Sequence, residues 1–117
     1  MSLSRKRVLV GDSDEIVLAL TLHILQRQGY EVDVATKPPE FSEKLHAREY
    51  HAVLVDPNLS PQGLKWVKSL LAEFPGVCSR LIIATAAPKH DLTVHATLPK
   101  PLEFGLLIAT VEACVKK

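Results

Sequence analysis

Short apolar runs alternate with stretches of helical period along this chain, and that alternation constrains the fold more than any other feature. A strand can be followed by a parallel neighbour only through a crossover, so the pattern specifies βαβ units. Strands are predicted at Arg7–Val10, Glu31–Ala35, His51–Val55, Arg80–Ala84 and His95–Leu98. Between them, residues 14–28 read as a helix with Ile16, Leu20 and Ile24 at helical spacing, closed by Gly29. A second helix starts at Pro38 or Pro39 and carries Phe41 and Leu45 on one face. After Pro61, a third places Leu64, Val67 and Leu71 on one stripe with Trp66, Leu70 and Phe74 beside it, and Pro75 and Gly76 stop it. Leu102–Val115 forms the last helix.

The fourth and fifth strands are joined by only ten residues, Thr85–Val94, with Pro88 among them. A covering helix needs a dozen or more residues to return along the sheet, so the fourth helix is expected to be missing or reduced. Such an edge either exposes an apolar patch or recruits a partner, and a homodimer or protein contact is expected near residues 85–98.

A chain of 117 residues fits a single domain spanning 1–117, large enough to bury roughly 65% of its unfolded surface. A charge of +1 gives no reason to expect nucleic acid or a membrane surface as partner. The longest apolar runs, Ile16–Leu22 and Leu81–Ala87, fall far short of the roughly 18 residues a span requires. Cys78 and Cys114 have no CxxC spacing and read as reduced buried thiols, which favours the cytoplasm. Residues 1–4 read as a disordered leader, followed by a solvated Arg5-Lys6-Arg7.

Ligands of open parallel sheets bind outside the carboxyl ends of the strands. Asp12 and Asp14 follow the first run, Asp56 the third, Thr85 the fourth and Lys100 the fifth, so these five residues can meet there. Acids, a hydroxyl and an amine are the inventory of a phosphoryl-transfer pocket. Each has a plainer explanation. Acids at a helix start cap it, Asp before Pro opens turns, and an isolated Thr or Lys is more often a turn hydroxyl or a solvated amine. The five histidines show no metal-ligand spacing.

Four segments in order give the chain a resemblance: Val8-Leu9-Val10-Gly11-Asp12-Ser13-Asp14, Ala52-Val53-Leu54-Val55-Asp56-Pro57-Asn58-Leu59, Ile82-Ile83-Ala84-Thr85-Ala86 and Leu98-Pro99-Lys100-Pro101. From Arg7 to Val115 the sequence resembles a receiver domain of two-component response regulators. The resemblance implies a flavodoxin-like α/β three-layer sandwich with a five-stranded parallel sheet. It also implies phosphorylation at Asp56 by a sensor histidine kinase or phosphotransfer protein, in a signalling domain rather than an enzyme. By the same resemblance Asp12, Asp56 and the Asn58 carbonyl would bind Mg2+, Lys100 would neutralise the phosphoryl oxygens, and Thr85 would hydrogen-bond them. A cis Lys100-Pro101 bond is likewise implied.

Three departures stand against it. Ser13 replaces a second adjacent acid, which weakens magnesium binding. Thr97 stands where the family carries an aromatic switch residue. The loop from Asp56 to Gly63 is short, with its proline at Pro61. A pseudo-receiver that binds a partner without being phosphorylated is therefore the alternative. A flavodoxin-like nucleotide binder is disfavoured, because only Gly11-Asp12-Ser13 follows the first strand where a glycine-rich loop would be needed.

Overall fold

Each apolar run forms a strand whose successive side chains enter two different cores. The computed structural model describes residues 5–116, and the leader expected at residues 1–4 lies outside the described residues. The strands are β1 (Arg7–Gly11), β2 (Glu31–Ala35), β3 (Ala52–Val55), β4 (Leu81–Thr85) and β5 (Ala96–Pro99), each within one residue of its predicted span. All pair in parallel in the order β2-β1-β3-β4-β5.

The helices are α1 (Glu15–Arg27), α2 (Pro38–Ala47), α3 (Leu64–Glu73) and α4 (Phe104–Val115), with 3-10 turns at Pro57–Leu59 and Pro75–Arg80. Because strand side chains alternate in direction, Val8, Val10, Leu54, Ile82 and Leu98 meet α1 and α4 on one face. Leu9, Val53, Val55, Leu81 and Ile83 meet α2 and α3 on the other. The result is the expected three-layer α/β sandwich.

Residues 86–95 hold no helix, as the length of that crossover requires. The sheet beneath is nevertheless covered. Leu81 and Ile83 are fully buried, and Leu92 and Val94 of the crossover pack into the same core. The large exposed apolar side chains lie elsewhere: Ile16 and Leu20 on α1, Phe104 and Leu106 on α4.

That distribution corrects the stripe assigned to α1. Leu18, Thr21 and Leu25 face the core, whereas Ile16 is 75% and Leu20 48% exposed. Thr21 is tolerated inside because its hydroxyl donates to the Val17 carbonyl at 2.8 Å.

Candidate functional site

The site is built where β1 and β3 run out side by side. The Asp56 amide donates to the Gly11 carbonyl at 3.0 Å and the Asp12 amide to the Ala35 carbonyl at 3.2 Å, so ladder-like bonds carry both acids past the strand ends. Gly11 permits the approach. A Cβ there would lie 2.6 Å from two ring carbons of buried Phe41.

Asp12 and Asp56 are 5% and 7% exposed, a burial that two carboxylates sustain only when paired. Lys100 supplies the partner. Its Nζ donates to Asp12 Oδ2 and to Asp56 Oδ2, both at 2.6 Å, across sequence separations of 88 and 44 residues. Each remaining Oδ1 accepts a local amide, from Asp14 at 2.9 Å and from Asn58 at 2.8 Å. Burial opposes the Lys100 ammonium, but the hydrogen bonds and charges of the two aspartates outweigh it and raise its pKa. The peptide bond between Lys100 and Pro101 is cis.

Thr85 adjoins this trio through the main chain, its carbonyl accepting the Lys100 amide at 3.0 Å. Its hydroxyl accepts the Ala87 amide at 3.1 Å. Asn58 meets Asp56 through its amide. Asp14 meets the pocket only through its amide, because its carboxylate caps α1 by accepting the Ile16 and Val17 amides. Ser13 is exposed.

For a hard divalent cation the ligands are right in kind and few in number. Asp12 and Asp56 offer carboxylate oxygens, but among the described residues no three Asp, Glu, His or Cys side chains come together. Two carboxylates against one ammonium leave a single net negative charge, and any cation must share those oxygens with Lys100.

Sequence reasoning overlooked His90. Its ring lies between the Leu92 amide, 3.0 Å from Nδ1, and the Thr97 hydroxyl, 2.8 Å from Nε2. A single histidine in a polar loop gives no periodic or motif signal that would single it out. A hollow of about 300 Å3 lined by Leu45, Arg48, Tyr50, Phe74 and Arg80 sits at the other end of the sheet, where β3 and β4 begin.

No family model and no curated protein matches the sequence. Solved structures do. A CheY-like response regulator receiver domain protein from Methanospirillum hungatei superposes with a TM-score of 0.81 at 24% identity, covering 97% of this chain and 95% of that one. The fold is that of a response regulator receiver domain. The chemotaxis response regulator CheY4 of Vibrio cholerae agrees, with a TM-score of 0.80 at 20% identity over 95% of this chain and 99% of its own. A sensor protein from Polaromonas reaches 0.83 at 22% identity, covering 97% and 98%. Within this receiver fold the acidic pocket lies at the carboxyl edge of the sheet, and no helix among the described residues is long and apolar enough to cross a membrane.

Proposed function

We propose that the chain is a receiver domain, spanning residues 1–117, that accepts a phosphoryl group on Asp56 from the phosphohistidine of a sensor kinase or phosphotransfer protein. The observation that carries this reading is the single ammonium of Lys100 held 2.6 Å from two buried carboxylates brought from distant parts of the sequence. Burial of such a trio is costly and has no packing purpose that apolar side chains would not serve as well.

In this reaction an Asp56 carboxylate oxygen forms a bond to phosphorus as the bond to the donor imidazole nitrogen breaks. The imidazole leaves with the electron pair of that bond and takes a proton. Lys100 then faces phosphoryl oxygens as well as Asp12, and its raised pKa keeps it charged for that role. The Thr85 hydroxyl, whose oxygen now only accepts from Ala87, has a proton to donate to a phosphoryl oxygen. Mg2+, held weakly by Asp12, Asp56 and the Asn58 carbonyl, would add charge neutralisation when bound. The acyl phosphate is formed once per chain, so the domain is a signalling acceptor and not an enzyme. A cytoplasmic setting goes with a kinase donor.

The donor protein must reach Asp56 at the carboxyl edge. Ile16 in the first turn of α1 and Phe104 and Leu106 in the first turn of α4 expose apolar surface around that edge, which suits a protein partner better than a small solute. Incubation with a phosphorylated histidine phosphotransfer domain or with acetyl phosphate is expected to add one phosphoryl mass to the intact chain. Asp56→Asn, nearly isosteric, is expected to abolish the gain while keeping the circular dichroism spectrum. Equal labelling of the variant would refute the assignment. Absence of label from either donor would favour the pseudo-receiver, for which Ser13 and the helix-free crossover speak.

A further inference from the structure

The crossover that lacks a helix is held down by side chains. Its Ala87 amide donates to Thr85 Oγ1 at 3.1 Å and its Leu92 amide to His90 Nδ1 at 3.0 Å. The backbone ladder resumes at His95, whose amide donates to the Leu81 carbonyl at 2.9 Å. His90 is the middle tether, and it is two-sided. Since Nδ1 accepts an N–H, the neutral ring carries its proton on Nε2 and donates it to the Thr97 hydroxyl, 2.8 Å away.

Thr97 belongs to β5, a strand of four residues at the edge of the sheet, paired on one side only, with β4. Three residues later the chain reaches Lys100, whose amide donates to the Thr85 carbonyl and whose Nζ joins the two carboxylates. The bonds therefore close a ring. From the carboxylates they pass through Lys100 to Thr85, along the crossover to His90, across to Thr97, and down β5 to Lys100 again.

We propose that His90 is a positioning residue of the acidic pocket: by pinning the crossover to Thr97 it fixes the edge strand β5, and so fixes where Lys100 emerges against Asp12 and Asp56. The meaning of that position rests on the phosphoacceptor reading given above. A short edge strand has one ladder to hold it, so a second attachment, made through a side chain on the face that the crossover covers, sets how firmly it is registered. Coupling of this kind is reciprocal, so loosening the tether disturbs the pocket and a change at the pocket disturbs the crossover.

The test uses unphosphorylated protein and compares wild type with Thr97→Val, Thr97→Ser and His90→Gln. In Thr97→Val the Ala87 and Leu92 amides are expected to exchange about tenfold faster, with α3 amides unchanged. The Lys100 amide and the Asp56 signals are expected to shift with them. Thr97→Ser keeps the hydroxyl and is expected to retain wild-type exchange and wild-type pocket signals, which a role in packing the β-branched side chain would not produce. The imidazole nitrogen spectrum of wild type is expected to show the proton on Nε2. Leu92 exchange within twofold of wild type in Thr97→Val, unmoved Lys100 and Asp56 signals, or a proton on Nδ1 would each overturn the proposal. If Thr97→Val fails to fold, His90→Gln is read by the same criteria, and the wild-type tautomer stands on its own. Failure of Asp56 to accept a phosphoryl group would remove the functional reading and leave these measurements intact.

Discussion

Asp12 and Asp14 are the same residue two positions apart, and their surroundings give them opposite work. Asp12 continues the line of β1, so its carboxylate turns inward to Lys100, while Asp14 has the extended backbone of an N-cap and spends its carboxylate on the Ile16 and Val17 amides. Ser13, between them, is exposed and uncharged. The pocket is thus one carboxylate short of a strong cation site, and Asp14 is not free to make up the difference. Ser13→Asp is expected to raise Mg2+ affinity about tenfold by adding a charge beside the pair, read by isothermal titration calorimetry. Unchanged affinity would mean that competition from Lys100, rather than ligand number, limits binding. The departure at Ser13 was legible in the sequence because it depends on residue types at fixed offsets. The capping role of Asp14 was legible only as one of two choices, since a carboxylate at a helix start suits an amide and a metal equally.

At the scale of elements, what could be read depended on contrast. In α3, Lys65, Lys68 and Glu73 mark a solvent face, so the apolar side is placed correctly, although Leu70, set beside the predicted stripe, is buried with Val67 while Leu64 and Leu71 on it are half-buried. In α1 the run from Ile16 to Leu25 is interrupted only by Thr21 and His23, so several apolar stripes fit the same period and the wrong one is easily chosen. The strands were located to within one residue because they are short, apolar and bounded by turns. The helix-free crossover followed from length alone, but its self-covering by Leu92 and Val94 did not, because loop packing has no period. The join of β1 to the site offers a direct measure of element fit. Gly11→Ala would place a methyl carbon 2.6 Å from Phe41 Cδ1 and Cε1 and 3.1 Å from Leu59 Cδ2. Phe41 is fully buried and has no room to yield, so the variant is expected to lose about 1–3 kcal/mol by urea denaturation. Because Asp12 follows directly, its amide shift is expected to move as well. A loss under about 0.5 kcal/mol would show that the α2 packing relaxes freely.

Across the whole molecule the two ends of the sheet divide the labour. The carboxyl end holds the trio of Asp12, Asp56 and Lys100, and the amino end is tied by charge. There Tyr50 donates to Asp33 Oδ2 at 2.6 Å, Arg48 pairs with Asp33 at 3.3 Å and Glu31 at 3.2 Å, and Arg7 approaches Glu31 at 3.5 Å. This network locks edge strand β2 to the residues that enter β3, far from the site. Burial, then the hydrogen bond and the charge of Asp33, raise the Tyr50 pKa well above its usual 10.0. Tyr30, raised by burial and then by Glu112 and Cys114, and Lys100, raised by the aspartates against burial, move the same way. In each case the folded chain keeps a proton that the unfolded chain gives up first. Their stabilisation is therefore complete below the unfolded pKa values of 10.0 and 10.5 and is lost as pH rises beyond them. Tyr50→Phe separates one contribution from the rest. At neutral pH the variant is expected to be less stable by about 1.5–3 kcal/mol, the net worth of one hydrogen bond to a charged group. Since only the wild type has a Tyr50 proton to lose, the gap in urea midpoint is expected to narrow as pH climbs above 10.0. A gap that stays constant into alkali would mean that the unfolded chain holds the tyrosine proton as tightly as the folded one, and that the bond to Asp33 stabilises the fold without raising the Tyr50 pKa.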